Sequence, residues 1–322
     1  MNGSKGRMQR RTIAWSIGVL AMLLMLSPTS ARATYPGTNG RIAFAMDLGQ
    51  GLEVFTMAED GTDIVQLTHT KGNALNPDWS PDGSKIVFQV DTHGGTEGCK
   101  LKLINADGTG LTSLTPRGTC DSDAQFMPSG RRILFMGEDG GAIETMNLVG
   151  THRRVIFSPG NLFMHSPSIS PDGQQIVVLV EKEIPGGNRK AVFRVNFDGT
   201  DLEKVVPFSQ DVSTRGADWA PDSGRLAYSN NAGPTPASND PANVFTVLPD
   251  GSGVQQVTFF ARRSVPAYMG SYSPDGQWII FKRVNFNKNR YVIFKVRPDG
   301  TSLTRVIVLH TLPTRAIDWG PA

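Results

Sequence analysis

The sequence predicts an all-β fold, a six-bladed β-propeller, on the strength of three observations. One unit, typified by Trp79-Ser80-Pro81-Asp82-Gly83 and the apolar run Ile86-Val87-Phe88, recurs at intervals of 43 to 53 residues. A second marker, Asp-Gly-Thr or a close variant of it, occurs six times. The 322 residues include 35 glycines and 21 prolines, which indicates many turns between short strands rather than a helical bundle. Repeats of about 40–50 residues with four short strands each are typical of propeller blades.

Each unit predicts four antiparallel strands. The first strand ends at an apolar or aromatic residue, here called the anchor, and the six anchors are Trp79, Phe126, Ile169, Trp219, Tyr272 and Trp319. Ser-Pro-Asp-Gly then forms a tight turn, because proline presets φ, aspartate bonds its own backbone and glycine tolerates positive φ. An apolar second strand and a variable loop lead to the third strand. Asp-Gly makes the hairpin into the fourth strand.

The two ends of the chain complete each other. Ile317-Asp318-Trp319 is the first half of the repeated unit, and Asn39-Gly40-Arg41-Ile42-Ala43-Phe44 supplies the second half. We therefore expect the last blade to combine one C-terminal strand with three N-terminal strands, which closes the ring and removes its open edge. The third unit is degenerate: Met127-Pro128-Ser129-Gly130 and Val149-Gly150 replace the usual turns.

Residues 1–33 predict a secretory signal. Four basic residues precede an apolar run over residues 13–26, and Ala31-Arg32-Ala33 forms a small-x-small cleavage site. An uncleaved N-terminal anchor is the alternative. We expect residues 34–322 to form the propeller domain, exported to the periplasm or secreted, with no transmembrane span after cleavage.

Cleavage of this signal changes the charge of the chain. The chain holds 32 basic and 29 acidic residues, and five of the basic ones lie in the first 33 positions. The propeller itself is then slightly acidic, so nucleic acid is not an expected partner.

The Trp-Ser-Pro-Asp-Gly unit followed by Ile-x-Phe resembles the WD40-like repeat of the TolB propeller family, and the resemblance spans residues 39–322. It implies a non-catalytic scaffold in the cell envelope that binds a protein or peptide on the variable-loop face, most simply as a monomer. TolB itself carries an additional N-terminal α/β domain, for which there is no room between Ala33 and the first predicted strand.

The residue just before each anchor is expected to line the central channel, because period-two alternation turns its side chain away from the anchor's. These candidates are Asp78, Gln125, Ser168, Asp218, Ser271 and Asp318. Three carboxylates around a narrow channel could attract a basic peptide segment or a cation, although no cofactor is expected. Arg215 and Arg315 are candidate salt-bridge partners for them. His165 and Tyr268 complete the candidate binding residues, and no catalytic residue is predicted.

A metal-dependent polysaccharide lyase or glycan hydrolase is the alternative function. His69, His93, His165 and His310 fall on the predicted variable-loop face, where a cluster of histidines could hold a metal, as in propeller lyases that cleave oligogalacturonate. No two of them share a local ligand spacing, so the metal ligands stay unassigned. The discriminating observation is whether His165, His310 and one further histidine converge.

Two further expectations concern turns and cysteines. The repeated Asp82, Asp172, Asp222 and Asp275 are expected to serve turn chemistry rather than catalysis, because a single site needs residues that are unique in the chain. Cys99 and Cys120 fall on the same face in an oxidising compartment, which favours a disulfide.

Overall fold

The computed structural model describes residues 35–91, 98–116, 120–137, 140–184, 187–209, 217–230, 242–261, 265–310 and 313–322. The first three strands of the chain are β1 (Asn39–Asp47), β2 (Leu52–Met57) and β3 (Val65–Gln66). Blade 2 consists of β4 (Asn73–Trp79), β5 (Lys85–Asp91), β6 (Cys99–Asn105) and β7 (Thr112–Ser113). Blade 3 consists of β8 (Ser122–Phe126), β9 (Arg132–Met136), β10 (Ile143–Asn147) and β11 (Arg154–Phe157).

The second half of the chain continues the pattern. Blade 4 consists of β12 (Phe163–Ile169), β13 (Gln175–Ile184), β14 (Gly187–Asn196) and β15 (Glu203–Ser209). Blade 5 consists of β16 (Ala217–Trp219), β17 (Leu226–Asn230), β18 (Asn243–Val247) and β19 (Gln255–Gln256). Blade 6 consists of β20 (Ala267–Tyr272), β21 (Ile279–Asn285), β22 (Arg290–Val296) and β23 (Thr304–Leu309), with a 3-10 turn at Phe286–Lys288. The last strand is β24 (Pro313–Pro321).

The predicted closure of the ring is confirmed. Blade 1 has the strand order β24-β1-β2-β3, so its innermost strand comes from the C-terminus. Ala43 pairs with Asp318 and Ile42 with Trp319 across the antiparallel junction of β1 and β24. All six sheets have four antiparallel strands, as the repeat predicted. Among the described residues there is no helix long and apolar enough to cross a membrane.

The core consists of apolar clusters in which neighbouring blades meet. The cluster between blades 4 and 5 contains Trp219, which is fully buried with Val177 and Leu226. The clusters at the other junctions follow the same plan, and the anchors Phe126, Tyr272 and Trp319 are all buried in them. The anchors therefore hold blade to blade, as their recurrence suggests.

The turn aspartates behave as predicted. The Asp82 carboxylate accepts hydrogen bonds from the Ser80 hydroxyl at 2.6 Å and from the backbone N–H of Ser84 at 3.0 Å. In the Asp-Gly turns the pattern is similar, as in Asp107, whose Oδ1 accepts from the backbone N–H and the hydroxyl of Thr109. The hydrogen bonds from Thr109 lower the pKa of Asp107. These carboxylates are committed to the turns that connect the strands.

The connections divide the ring into two faces. The variable loops between second and third strands and the connections between blades lie on one face, here called the loop face. The Pro-Asp-Gly and Asp-Gly turns lie on the other, here called the turn face.

Candidate binding site in the central channel

The polar residues just before the anchors form a ring of hydrogen bonds between blades. In each bond the side chain of one blade accepts from the backbone N–H of the next blade's anchor. The bonds are Asp318 Oδ2 to Trp79 at 2.8 Å, Asp78 Oδ2 to Phe126 at 2.8 Å, Gln125 Oε1 to Ile169 at 2.9 Å, Asp218 Oδ2 to Tyr272 at 2.9 Å and Ser271 Oγ to Trp319 at 2.9 Å. This set is called the inner ring below. These residues thus connect the blades as well as lining the channel.

Ser168 occupies the same position in blade 4 and behaves differently. Its side chain is buried, with 6% of the residue exposed, and Oγ has no hydrogen-bond partner among the described residues. The contact to blade 5 is made instead by the Ser168 carbonyl, which accepts from Trp219 Nε1 at 3.0 Å. A buried hydroxyl without a partner is unfavourable, so Ser168 Oγ is an unsatisfied polar group in the wall of the channel.

The channel opens on the loop face as a polar cavity of about 90 Å³. Its walls include all six predicted channel residues: Asp78, Gln125, Ser168, Asp218, Ser271 and Asp318. Asn76, Asp123 and Ser166 line it as well. A cavity of this size and polarity suits one polar side chain or a few waters better than a whole sugar unit.

A second set of contacts lies in blades 2, 3 and 4, toward the loop face. Asp123 Oδ1 accepts from Asn76 Nδ2 at 2.8 Å, and its Oδ2 accepts from the Ser166 backbone N–H at 3.0 Å. Asn76, Asp123 and Ser166 all have positive φ, between 47° and 53°, where the first strand of each blade bulges. Each of the three stands two positions before a predicted channel residue, and together they line the cavity toward the loop face.

Tyr35 closes the channel at the turn face. The residue is 6% exposed, and its hydroxyl donates to the Phe126 carbonyl at 2.8 Å. The segment that follows is tied down by Gly37, whose N–H donates to the Pro274 carbonyl, and by Thr38, whose carbonyl accepts from Ala322 N–H. Tyr35 is not among the predicted residues, because it precedes the first repeated element and has no counterpart in the other blades.

Burial and like charge dominate the electrostatics of the channel. Burial raises the pKa of Asp78, and the neighbouring carboxyl groups of Asp318 and Asp218 raise it further, against the bond from Phe126 N–H. Burial likewise raises the pKa of the Tyr35 hydroxyl, with contributions from Asp78, Asp318 and Asp218. A positively charged group in the cavity would relieve this accumulation of negative charge.

The remaining predicted site residues lie away from the cavity or outside the described part of the chain. His165 lies on β12, with Nε2 at 3.3 Å from Glu181 and its ring edge-on to Phe163 at 4.6 Å. Tyr268 packs against the apolar cluster of blades 6 and 1, and its burial raises the pKa of its hydroxyl. Arg215 and the side chain of Arg315 lie outside the described residues, so their predicted salt bridges stay predictions.

The described histidines do not converge. Nδ1 of His69 lies 3.1 Å from Gln66 Nε2, and the His310 carbonyl accepts from Asn289 Nδ2. His93 lies outside the described residues. Within the described ranges, no three His, Cys, Asp or Glu side chains lie close enough together to hold a metal ion. The geometry that the lyase alternative requires is therefore not found in the described part of the chain.

Beside the loop-face opening, blades 2 and 3 are joined covalently. Cys99 and Cys120 form the predicted disulfide. The adjacent Asp121 is fully buried, and both of its oxygens accept from Arg153, at 2.7 and 2.9 Å. Arg153 also binds Glu144, and these two carboxylates raise its pKa. Asp121 thus belongs to an ion pair, whereas Asp123, two positions further on, lines the channel.

Comparison with known proteins places the chain in a family. The family model described as TolB beta propeller domain matches residues 27–220, more than half of the chain. The chain belongs to the TolB β-propeller family. A TolB homologue of Chlorobium luteolum is 28% identical over 152 residues, which cover 47% of this chain and 33% of that protein. The aligned segments span about half or less of the curated relatives that the chain matches.

Solved structures of TolB-like propellers agree with the fold. TolB from Acinetobacter baumannii matches with a TM-score of 0.65 at 18% identity, over 88% of this chain and 67% of that chain. An oligogalacturonate lyase in complex with manganese matches with a TM-score of 0.56 at 14% identity, over 85% of this chain and 74% of that chain. At these identities the structural likeness shows the shared propeller fold and no shared activity.

Proposed function

We propose that this TolB-family propeller is a non-catalytic scaffold that binds a protein or peptide segment at the loop-face opening of its channel. The observation that carries the proposal is the polar cavity, which is open on the loop face and closed by Tyr35 on the other. A narrow cavity that is closed at one end can accept a single side chain inserted from the loop face, and it does not form a continuous tunnel.

The chemistry of the cavity indicates which side chain it prefers. Four aspartates line the cavity and contribute negative charge, namely Asp78, Asp123, Asp218 and Asp318, and the buried Ser168 Oγ in its wall has no hydrogen-bond partner among the described residues. A lysine ammonium group, or a peptide's own amino terminus, supplies positive charge and three N–H donors in a small volume. We therefore expect the bound segment to place a cationic group in the cavity while the rest of it lies across the loop face.

We expect the protein to act in the cell envelope. Residues 1–33 have the features of a cleavable signal, and the disulfide suits an oxidising compartment. Cell fractionation followed by N-terminal sequencing tests this part of the proposal. Export with cleavage after Ala33 predicts a mature protein that begins at Thr34, immediately before Tyr35.

A peptide-display selection on the immobilised propeller tests the binding function. We expect the selected peptides to share a lysine or arginine and to protect residues 76–78, 123–125 and 166–168 from hydrogen exchange. The variant Asp123→Lys places a cation at the opening and is expected to weaken these peptides at least tenfold. Arg305→Glu, an exposed change on the outer strand of blade 6, serves as the control and leaves binding unchanged.

Two outcomes would count against the scaffold. Peptides that bind equally well to the Asp123→Lys variant would show that the cavity is not the binding site. Formation of an unsaturated product from oligogalacturonate in the presence of manganese, followed by its ultraviolet absorbance, would instead support the lyase alternative.

A further inference from the structure

The Asp-Gly turn of blade 3 differs from its five counterparts on the turn face. The equivalent turns begin with Asp60, Asp107, Asp198, Asp250 and Asp299, whereas blade 3 has Val149, which is 72% exposed. The turn itself is intact, because Asn147 Oδ1 accepts from the backbone N–H groups of Val149 at 3.2 Å and Thr151 at 2.8 Å. The fold therefore does not require a valine at this position.

The other turn of blade 3 has lost its carboxylate as well. Ser129 stands where four other blades have aspartate, namely Asp82, Asp172, Asp222 and Asp275. The Ser129 hydroxyl accepts from the Arg131 backbone N–H at 3.3 Å and so replaces part of the turn bonding. Blade 3 is thus without the acidic turn residues that those four blades present twice on this face.

Basic and apolar side chains occupy the same corner of blade 3. Arg131, His152 and Arg154 are exposed, and Val155 is 54% exposed. In the strand register of blade 3, Arg132 is opposite Asn147, so its neighbour Arg131 lies beside the Val149 turn. Arg154 is opposite Thr145 on the outer strand, next to the same turn. Arg132 Nη2 also donates to the His152 carbonyl at 2.9 Å, which holds this loop in place.

We propose that this corner, formed by Arg131, Val149, His152, Arg154 and Val155 and called the blade 3 patch, binds an acidic, extended segment of a partner protein. It lies on the turn face, opposite the channel opening, and the inference does not depend on the proposed function. The arginines complement the segment's carboxylates, and the exposed valines contact its apolar side chains. The acidic turns of the other blades repel such a segment, which directs it to blade 3.

An anionic membrane is the less favourable partner for this patch. Each Lys or Arg near an anionic bilayer contributes about 1 kcal/mol, and stable anchoring takes several such residues or a deeply inserted apolar group. The patch offers two arginines and two short valine side chains. A peptide can instead align its carboxylates with both arginines at once.

A binding titration with a defined probe tests the proposal on the full-length mature protein. The probe is a fluorescent eight-residue peptide of alternating glutamate and valine, and a lysine–valine peptide is its control. We expect fluorescence anisotropy to show binding of the acidic peptide and none of the lysine–valine peptide. The affinity for the acidic peptide should be at least tenfold weaker in the double variant Arg131→Glu/Arg154→Glu, and added salt should weaken it as well. Arg305→Glu, at the position in blade 6 that corresponds to Val155, is the matched control and should bind as the wild type does.

A second variant separates binding from folding. Val149→Asp restores the Asp-Gly-Thr sequence of the other blades, so we expect a melting temperature equal to or above that of the wild type. Because the variant adds a negative charge to the patch, we expect at least fivefold weaker binding of the acidic peptide. The proposal is overturned if both variants bind like the wild type, or if phosphatidylglycerol vesicles are bound while the peptide is not. It is also overturned if the patch instead mediates self-association, seen by sedimentation as a dimer that the variants abolish.

Discussion

The junction between blades 2 and 3 and the junction between blades 4 and 5 are held together by different kinds of contact. Blades 2 and 3 share the Cys99–Cys120 disulfide and the inner-ring bond from Phe126 N–H to Asp78, and beside the disulfide, within blade 3, Arg153 pairs with the buried Asp121. Blades 4 and 5 are held by an apolar cluster around Trp219. There the inner-ring side chain, Ser168, has no hydrogen-bond partner among the described residues.

The difference shows which contacts between blades can vary while the repeated fold stays the same. Between blades 4 and 5 the inner-ring side-chain bond is missing, and a bond from Trp219 Nε1 to the Ser168 carbonyl stands in its place beside the apolar cluster. An unsatisfied polar group is therefore found at the junction where the carbonyl, rather than the side chain, makes the contact to the next blade.

Trp219→Ala should have the largest effect, since it removes the main side chain of the apolar junction. Deletion of a large buried aromatic side chain costs about 3–5 kcal/mol, through lost burial and the cavity left behind. We expect urea denaturation to show a loss of this size. Trp219→Phe, which keeps most of the apolar surface but not the bond to the Ser168 carbonyl, should lose clearly less. Equal losses for the two variants would mean that the hydrogen bond, rather than burial, holds this junction.

Opening the disulfide should have the next largest effect, at the polar junction. Cys99 and Cys120 are 21 positions apart, and closing a loop of this length stabilises a protein by roughly 3 kcal/mol in the chain-entropy model. Cys99→Ser/Cys120→Ser should lower the melting temperature by about 6–12 °C, as 1 kcal/mol corresponds to about 2–4 °C in a large domain. The wild type with reductant should match it. A wild type whose melting temperature does not respond to reductant, with free thiols confirmed by labelling, would contradict this prediction.

Asp78→Asn should stabilise the polar junction at neutral pH. Burial and the nearby Asp318 raise the pKa of Asp78 in the folded state, so folding favours its protonated form. This contribution is complete below the unfolded pKa of about 3.9 and is lost as the pH rises through the folded-state pKa. Asparagine stays neutral and keeps an oxygen that accepts from Phe126 N–H. We expect a melting temperature about 2–4 °C above the wild type at pH 7, on the order of 1 kcal/mol, with the gain shrinking toward pH 4.

A turn aspartate is the control for the sign of that effect. Hydrogen bonds from Thr109 lower the pKa of Asp107, so its contribution is present above pH about 4 and is lost as the pH falls through its folded-state pKa. Asp107→Asn should therefore bring no gain at pH 7. A gain at pH 7 from both variants would mean that the effect reports net charge and not the buried channel.

The repeated features of the molecule were predictable and the singular ones were not. Blade number, ring closure and the turn aspartates follow from patterns that occur four to six times, so each instance supports the others. The six channel residues follow from alternation relative to an anchor. Tyr35 occurs once, before the first repeat, and no periodicity indicates that it closes the channel.

Local backbone geometry accounts for the other omissions. Asn76, Asp123 and Ser166 have positive φ at a bulge, and the sequence gives no sign of where a bulge interrupts a strand. Ser168 and Ser271 are the same residue at the same position, yet one has a partner and the other has none. That distinction depends on how closely the next blade approaches, which is a property of the packed ring.

We expect the smallest effects when Ser168 and Ser271 are each replaced by alanine. These two variants compare directly a serine that has no partner with one that bonds to the next blade. Ser271→Ala removes the acceptor of the Trp319 N–H bond and leaves a buried donor, so we expect a loss of about 1 kcal/mol. Ser168→Ala removes a hydroxyl that has no partner, so stability should stay the same or rise by a few tenths of a kcal/mol. Chemical denaturation of both variants in parallel gives the answer, because errors common to the method cancel in the difference. If Ser168→Ala is as damaging as Ser271→Ala, then Ser168 bonds to the next blade in solution, and the cavity has no unused hydroxyl to offer a ligand.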